Sequence, residues 1–71
     1  MPDMTPVSSS NLSAVGYDSQ NRQLFIRFHS GALYVYRNVP QSVYEGLMNA
    51  SSLGQYHAAH IKNAYPYQRL S

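Results

Sequence analysis

Three histidines are the side chains of this sequence best suited to chemistry near neutral pH. His57 and His60 are three residues apart, which lets them share one face of a helix, and His29 lies in a turn signal elsewhere in the chain. Two such imidazoles could cleave RNA by acid–base catalysis, with Lys62 or Arg69 stabilising the phosphorane. Nothing in the spacing selects that reaction over an ordinary structural role.

Carboxylates and thiols are too few to complete a catalytic or metal site. The chain has no Cys, and its three acids, Asp3, Asp18 and Glu45, fall in the N-terminal stretch, a turn and a helix. A paired-carboxylate site or a histidine metal centre needs such partners close in space. Gly-rich phosphate loops and the common hydrolase motifs are also absent. We therefore predict a protein that is not an enzyme and has no metal site and no cofactor.

Five basic residues are spread along the sequence rather than gathered in one run. They are Arg22, Arg27, Arg37, Lys62 and Arg69. The formal net charge of +2 permits an anionic partner but does not require one. Charged residues make up 11% of the chain, less than half of the usual ~25%. The surface is therefore expected to be polar and uncharged, or partly covered by a partner.

These side chains must be positioned by one small domain, because 71 residues are about half of an ordinary domain. Residues 1–9, rich in Pro, Ser and Thr, predict a flexible lead-in, and residues 10–71 predict a single domain. The lead-in has an acid where a secretion signal needs a base, and no apolar run reaches the ~20 residues that span a membrane. We expect a cytoplasmic protein with no membrane partner.

Apolar residues alternate with a period near two before residue 40, which is typical of strands. The turn signals divide this part into three runs, at 12–18, 23–28 and 32–39. The connections are short, so adjacent strands must be antiparallel. The pattern predicts a three-stranded antiparallel meander.

Helical spacing follows the meander. Pro40 fits the first helical position, and Ser42 fits a capping box as an alternative start. Ser52 and Gln55 form a second capping box before another short helix. Pro66 leaves an extended tail that is expected to dock back through its tyrosines. The predicted fold class is α+β, with two short helices packed on one face of the meander.

The turn between the second and third strands decides which face of the sheet carries Tyr34 and Tyr36. If Gly31 takes a positive φ in a bulged three-residue loop, Ile26 lies opposite Tyr34 and both tyrosines face the helices. If the loop has two residues, every pair slips by one and the tyrosines join Arg27 on a face that resembles a nucleic-acid platform. A two-residue loop would need Gly, Asn or Asp where this chain has His or Ser. The bulge, with the tyrosine rings in the core, is the prediction.

The bulged register leaves a mixed apolar and basic face on the other side of the sheet. This face carries Phe25, Arg27, Leu33, Val35 and Arg37. Aromatic, aliphatic and Arg side chains together are typical of a binding patch. The alternative is that the N-terminal segment or a second copy of the chain covers it.

Taken together, the residues of this chain resemble the KTSC domain family. The residues that carry the resemblance are Ser9-Ser10-Asn11-Leu12, Val15-Gly16-Tyr17-Asp18, Leu24, Phe28, Gly31, Tyr34-Val35-Tyr36, Val39-Pro40, Val43-Tyr44, Leu47, Ala50, Ser52, Gly54, Tyr56, Ile61 and Tyr65-Pro66-Tyr67. The resemblance covers about residues 8 to 70. The family is named for its occurrence at the C-terminus of some lysyl-tRNA synthetases, and it also occurs as stand-alone bacterial and phage proteins. Where the family commonly has Phe and Asn, this chain has His57 and Ala58.

The resemblance implies a compact module, and its synthetase context suggests RNA as a ligand. The first hypothesis is a non-catalytic module that binds RNA through the exposed sheet face and nearby basic side chains, with contacts at Phe25, Arg27, Arg37, Lys62 and Arg69. The second is a protein-interaction module, a homodimer or a complex with another protein, that uses Phe25, Leu33 and Val35. A structural role is predicted for four further residues, Gly31, Tyr34, Tyr36 and Tyr56.

Overall fold

The alternating segment of the sequence builds the centre of a five-stranded antiparallel sheet in a computed structural model that describes residues 1–71. The strands pair in chain order. They are β1 Thr5–Pro6, β2 Leu12–Asp18, β3 Gln23–Phe28, β4 Leu33–Tyr36 and β5 Tyr67–Arg69. Two helices, α1 Gln41–Met48 and α2 Leu53–His60, follow β4 in the sequence and precede β5. The predicted α+β class, an antiparallel sheet with two short helices, is confirmed.

The two outer strands add to the three that the sequence predicts. β5 is the C-terminal tail, which pairs antiparallel with β4. β1 lies within residues 1–9, the segment expected to be a flexible lead-in, and the Val7 N–H donates to the Ser13 carbonyl at 3.1 Å just after it. Strands of two and three residues are too short for a period of two to be seen, which is why the pattern shows neither of them.

The main core lies between the sheet and the helices. It joins residues from β2, β3, β4, both helical regions and the loops that flank them, namely Leu12, Val15, Leu24, Ile26, Tyr36, Val39, Leu47 and Ile61. Alternate residues of a strand point to the same face, so the period-two pattern of the sequence sets which side of the sheet the helices cover.

The β3–β4 hairpin has the bulged turn that the sequence predicts. Gly31 has a φ of 96°, which an L side chain rarely adopts. The Gly31 N–H donates to the Phe28 carbonyl and the Phe28 N–H donates to the Ala32 carbonyl, both at 2.9 Å. Ile26 therefore pairs with Tyr34, and the predicted register is confirmed.

The two helices begin in different ways. Pro40 is the N-cap of α1 rather than its first helical residue, and no side chain caps that end, so neither predicted start is correct. Ser42 lies inside the helix instead. At α2 the Ser52 hydroxyl accepts from the Gln55 N–H at 3.3 Å, as the capping box predicts. Each helix has eight residues, and neither has the length and apolar character that crossing a membrane requires.

The sheet face away from the helices is also covered, which corrects the expectation that it is exposed. Phe25, Leu33 and Val35 are only 7%, 6% and 3% exposed. Gly16 lies in one cross-strand row with Phe25 and Val35, and residues 2–4 pass directly over it. A side chain at Gly16 would come within 2.9 Å of the Asp3 carbonyl oxygen. Of the two covers considered from the sequence, the chain's own N-terminal segment is the one found here.

Candidate functional site

The helix-facing side of the sheet is left open at one end, where α2 does not reach the outer strand. A groove of about 770 Å³ lies there, between α2 with the turn after it, the β3–β4 turn and the residues that precede β2. Its aromatic residues are Phe28, Tyr34, Tyr36 and Tyr67. We call this feature the tyrosine groove.

Three tyrosines stack against one another in the groove because of the register of β4 and β5. Tyr36 pairs with Tyr67 across the two strands, and Tyr34 lies on the same face two residues away. The Tyr34 and Tyr67 ring centroids are 5.4 Å apart with an interplanar angle of 21°, and those of Tyr36 and Tyr67 are 5.8 Å apart. Tyr36 is 2% exposed whereas Tyr67 is 56% exposed, so this cluster of three rings reaches from the core to solvent.

A buried hydrogen bond joins the groove floor to α2. The Tyr36 hydroxyl and His57 Nε2 lie 2.8 Å apart. Phe28 meets the imidazole ring edge-on, with ring centroids 5.4 Å apart. Burial raises the pKa of Tyr36 to about 12, with smaller contributions from Tyr34 and Tyr67. Burial also lowers the pKa of His57, and the Lys62 charge lowers it further. At neutral pH the pair is therefore a neutral phenol and a neutral imidazole.

The charge in the groove has one sign. Lys62, from the turn after α2, and Arg69, which pairs with Tyr34 across β4 and β5, both line it. No Asp or Glu lines it. The Arg69 Nε–H donates to the Ser71 main-chain oxygen at 3.0 Å, and this holds the guanidinium at the end of the strand. The groove thus combines aromatic surface with two cations.

The structure divides the predicted RNA contacts between the two faces of the sheet. Lys62 and Arg69 line the tyrosine groove. Arg27 and Arg37 lie on the opposite face, where they are half-buried and donate to the Gly31 carbonyl at 3.1 Å and to Gln68 Oε1 at 2.5 Å. Phe25, the fifth predicted contact, is buried in that face, so its ring is not exposed to a ligand. From the sequence all five are expected near one surface, because the sequence does not show that the tail forms an edge strand. In that strand Arg69 lies on the same face of the sheet as Tyr34.

Tyr67 is the groove residue that sequence reasoning missed as a candidate contact. The docking of the tail through its tyrosines is a correct prediction. Tyr67 pairs with Tyr36, however, which is 31 residues away in the sequence. The Tyr65-Pro66-Tyr67 run was the available signal. Its aromatic residues flank a Pro that forces extended backbone, but the sequence does not show which face they join.

The three histidines lie apart, so the expected shared face of His57 and His60 is not found. His57 points into the core against Tyr36, and His60 packs on Tyr56 with ring centroids 4.6 Å apart. Nε2 of His29 lies 2.8 Å from the Ser9 carbonyl oxygen.

Tyr56 holds the helices together. Its half-buried ring packs against the main core, and its hydroxyl end lies against the Gly46 backbone of α1. This contact is consistent with the structural role that the sequence assigns to it.

Comparison with known proteins identifies relatives along most of the chain. The family description "KTSC domain" matches residues 8–65. An uncharacterized protein of Stutzerimonas stutzeri is 40% identical over 65 residues, which cover 90% of this chain and 92% of that protein. A protein of Tsukamurella paurometabola is 43% identical over 53 residues, which cover 75% of this chain and 79% of that protein.

Two further relatives are more informative about context. A lysine–tRNA ligase of Nostoc sp. is 40% identical over 62 residues, which cover 87% of this chain but only 11% of that enzyme. The crystal structure of a KTSC domain protein from Yersinia pestis superposes with a TM-score of 0.95 at 33% identity and covers 97% of both chains. The similarity to the ligase is therefore confined to one small part of it.

Proposed function

The chain belongs to the KTSC domain family, and on that premise we propose that it is a non-catalytic RNA-binding module whose RNA lies in the tyrosine groove. The observation that carries the proposal is the composition of the groove. Exposed and half-buried tyrosine rings lie beside Lys62 and Arg69, and no carboxylate lines the space. Aromatic rings stack with bases and cations attract phosphates, so this combination suits a nucleic acid.

The family context supports RNA as the nucleic acid. The names of the Nostoc relative and of a second relative, from Trichormus variabilis, describe enzymes that join lysine to tRNA. This chain matches about a tenth of each. A module shared between a tRNA-handling enzyme and small separate proteins is expected to contribute binding rather than the ligase reaction. The proposal also takes the protein to act in the cytoplasm, where tRNA is found.

The non-catalytic part of the proposal rests on the protonation states in the groove. General acid–base catalysis works best when the pKa of the group lies near the working pH. The Tyr36 pKa is raised to about 12, whereas the His57 pKa is lowered and its ring is engaged with that same tyrosine. The other imidazole on the lining, His29, has its Nε2 2.8 Å from the Ser9 carbonyl oxygen, and no carboxylate lines the groove to form an acid–base pair with it.

The protein-interaction alternative has less support. It requires Phe25, Leu33 and Val35 to be exposed, and residues of the same chain bury them. A second copy would first have to displace the N-terminal segment that lies over Gly16. We therefore favour RNA over a homodimer or another protein as the partner.

A binding titration with two matched double variants tests the proposal. Fluorescence anisotropy of a labelled mixed-sequence RNA is followed at several salt concentrations. We expect binding at low salt that weakens as salt is added, because phosphate contacts release counterions. Replacing Lys62 and Arg69 by Ala should weaken binding strongly, whereas the same change at Arg27 and Arg37, on the opposite face, should not.

Two results would contradict the proposal. One is the absence of RNA binding by the folded protein at low salt. The other is a reversed pattern, in which the Arg27 and Arg37 variant loses binding and the Lys62 and Arg69 variant keeps it. Circular dichroism of each variant separates a loss of contact from a loss of fold.

A further inference from the structure

We propose that the tyrosine groove takes an unpaired nucleotide, with its base stacked on Tyr67 and its phosphate between Lys62 and Arg69. This inference rests on the proposed function and narrows it from RNA in general to single-stranded RNA.

The open aromatic surface is small and belongs mainly to one residue. Tyr36 is closed off beneath the stack and bonded to His57. Tyr34 is half-buried and packs edge-to-face with Phe28 and stacked with Tyr67, each at 5.4 Å between ring centroids. Tyr67 is the exposed member of the stack. A base added there packs on the exposed ring of this three-ring cluster.

Stacking on a protein ring requires a base whose flat face is free. In a duplex both faces of each internal base are covered by its neighbours, and the protein meets only groove edges and backbone. Unpaired bases in loops, bulges and single strands can be turned out to stack on aromatic side chains. A site whose aromatic contact is a ring face thus favours a nucleotide outside a helix.

The rest of the groove matches the other parts of a nucleotide. Lys62 and Arg69 are exposed and are the only Lys or Arg residues on its lining, which is enough for one or two phosphates. The side-chain amides of Asn11 and Asn63 also line the groove and make no hydrogen bond within the chain. An amide offers two donors and an acceptor, which suits the hydrogen-bonding edge of a base.

The size of the charged site sets the expected salt dependence. Each phosphate contact on a single strand contributes a slope of about −0.7 to the plot of log K against log salt. Two cations in the groove therefore predict a slope near −1.4. A surface that contacted only RNA phosphates, through all five basic residues, would give a steeper slope of log K against log salt.

The test compares three ligands and three versions of the protein. The ligands are a single-stranded RNA octamer, a blunt duplex of the same sequence and inorganic polyphosphate, each used as a competitor of labelled octamer. The proteins are the unsubstituted chain, Tyr67→Ala and Tyr67→Phe. We expect the octamer to compete at least about tenfold better than either other ligand, Tyr67→Ala to weaken octamer binding about tenfold, and Tyr67→Phe to keep it.

Different failures identify different errors. Equal competition by the duplex or by polyphosphate, or octamer binding unaffected by Tyr67→Ala, overturns the unpaired-nucleotide site while RNA binding itself stands. No binding of any RNA by the folded protein overturns the proposed function as well. Thermal unfolding of Tyr67→Ala checks the fold, and the Tyr67→Phe result separates the role of the ring from that of its hydroxyl.

Discussion

Tyr36 and His57 are 21 residues apart in sequence and 2.8 Å apart in the fold, where their hydrogen bond joins the sheet to α2. Both side chains are buried. Each of the two groups can gain or lose a proton, so the bond holds only while the phenol and the imidazole are in suitable protonation states. His57 thus brings a polar group into the core, and Tyr36 satisfies it.

Tyr36→Phe should lower the free energy of unfolding by about 1–3 kcal/mol, because it leaves His57 Nε2 buried without a partner. Urea denaturation measures the change. Tyr44→Phe is the matched control, since the Tyr44 hydroxyl makes no hydrogen bond within the chain and its ring stacks on Tyr17. His57→Phe should remove most of the penalty of Tyr36→Phe when the two are combined. Additive effects of the two substitutions would contradict the pairing.

Stability should decrease as the pH falls below about 6.5, the ordinary pKa of His. Burial, and then the Lys62 charge, lower the pKa of His57 in the fold. The unfolded chain therefore binds the proton first, and the stability present above the unfolded pKa is lost as pH falls towards and through the folded pKa. Urea midpoints at pH 7.5 and pH 5 measure this, and His57→Phe should reduce the difference.

The contribution of Asp18 falls in a separate pH window. Hydrogen bonds from Asn21 lower the pKa of the Asp18 carboxyl, so its effect appears in more acidic solution than the histidine window. If the urea midpoints of His57→Phe differ between pH 7.5 and pH 5 as much as those of the unsubstituted protein, a group other than His57 causes the pH dependence.

Lys62→Gln should raise the pKa of His57, because it removes a positive charge that disfavours the imidazolium. The His57 ring signals in an NMR pH titration report the pKa directly. If RNA phosphates bind at Lys62, saturating RNA should raise the same pKa in the unsubstituted protein. Arg37→Gln, on the opposite face, is the control and should leave the His57 titration unchanged.

Gly16→Val should displace the N-terminal segment and destabilise the fold by about 1–3 kcal/mol. A side chain there would overlap Met4 Sδ and the Asp3 carbonyl oxygen, and the latter is backbone, which can move only if the whole segment moves. Hydrogen exchange is the sharpest measurement. The Val7 amide, bonded to Ser13, should exchange faster, whereas the Ile26 amide in the central strand should change only as global stability does. Unchanged protection at Val7 would mean that the segment tolerates the added side chain.

Gly31→Ala should cost about 1–2 kcal/mol, because its φ of 96° is strained for any residue with a Cβ. No atom lies within 4 Å of the position a Cβ would take, so the cost is conformational and not a clash. Ser30→Ala in the same loop should change stability much less. Equal effects of the two substitutions in thermal unfolding would argue against the bulged turn as the origin of the register.

Local patterns account for the parts of this fold that the sequence predicts well. The alternation of apolar residues determines β2, β3 and β4. Gly31 determines how β3 and β4 are aligned, because a one-residue slip would reverse the face of every side chain. Ser52 determines where α2 begins, because its hydroxyl must satisfy an N–H only three residues away. Each of these depends on neighbours in the chain, which the sequence lists in order.

Only the tertiary structure decides which surfaces remain open. The period of two separates the faces of the sheet, but the covering of Gly16 and the exposure of Tyr67 depend on the two ends of the chain returning to opposite edges. Lys62 and Arg69 meet at one groove for the same reason, because β5 brings the tail beside β4. Contacts between segments tens of residues apart produce no periodic pattern or short motif in the sequence. They are stabilised by the burial of apolar surface, which depends on how the whole chain packs.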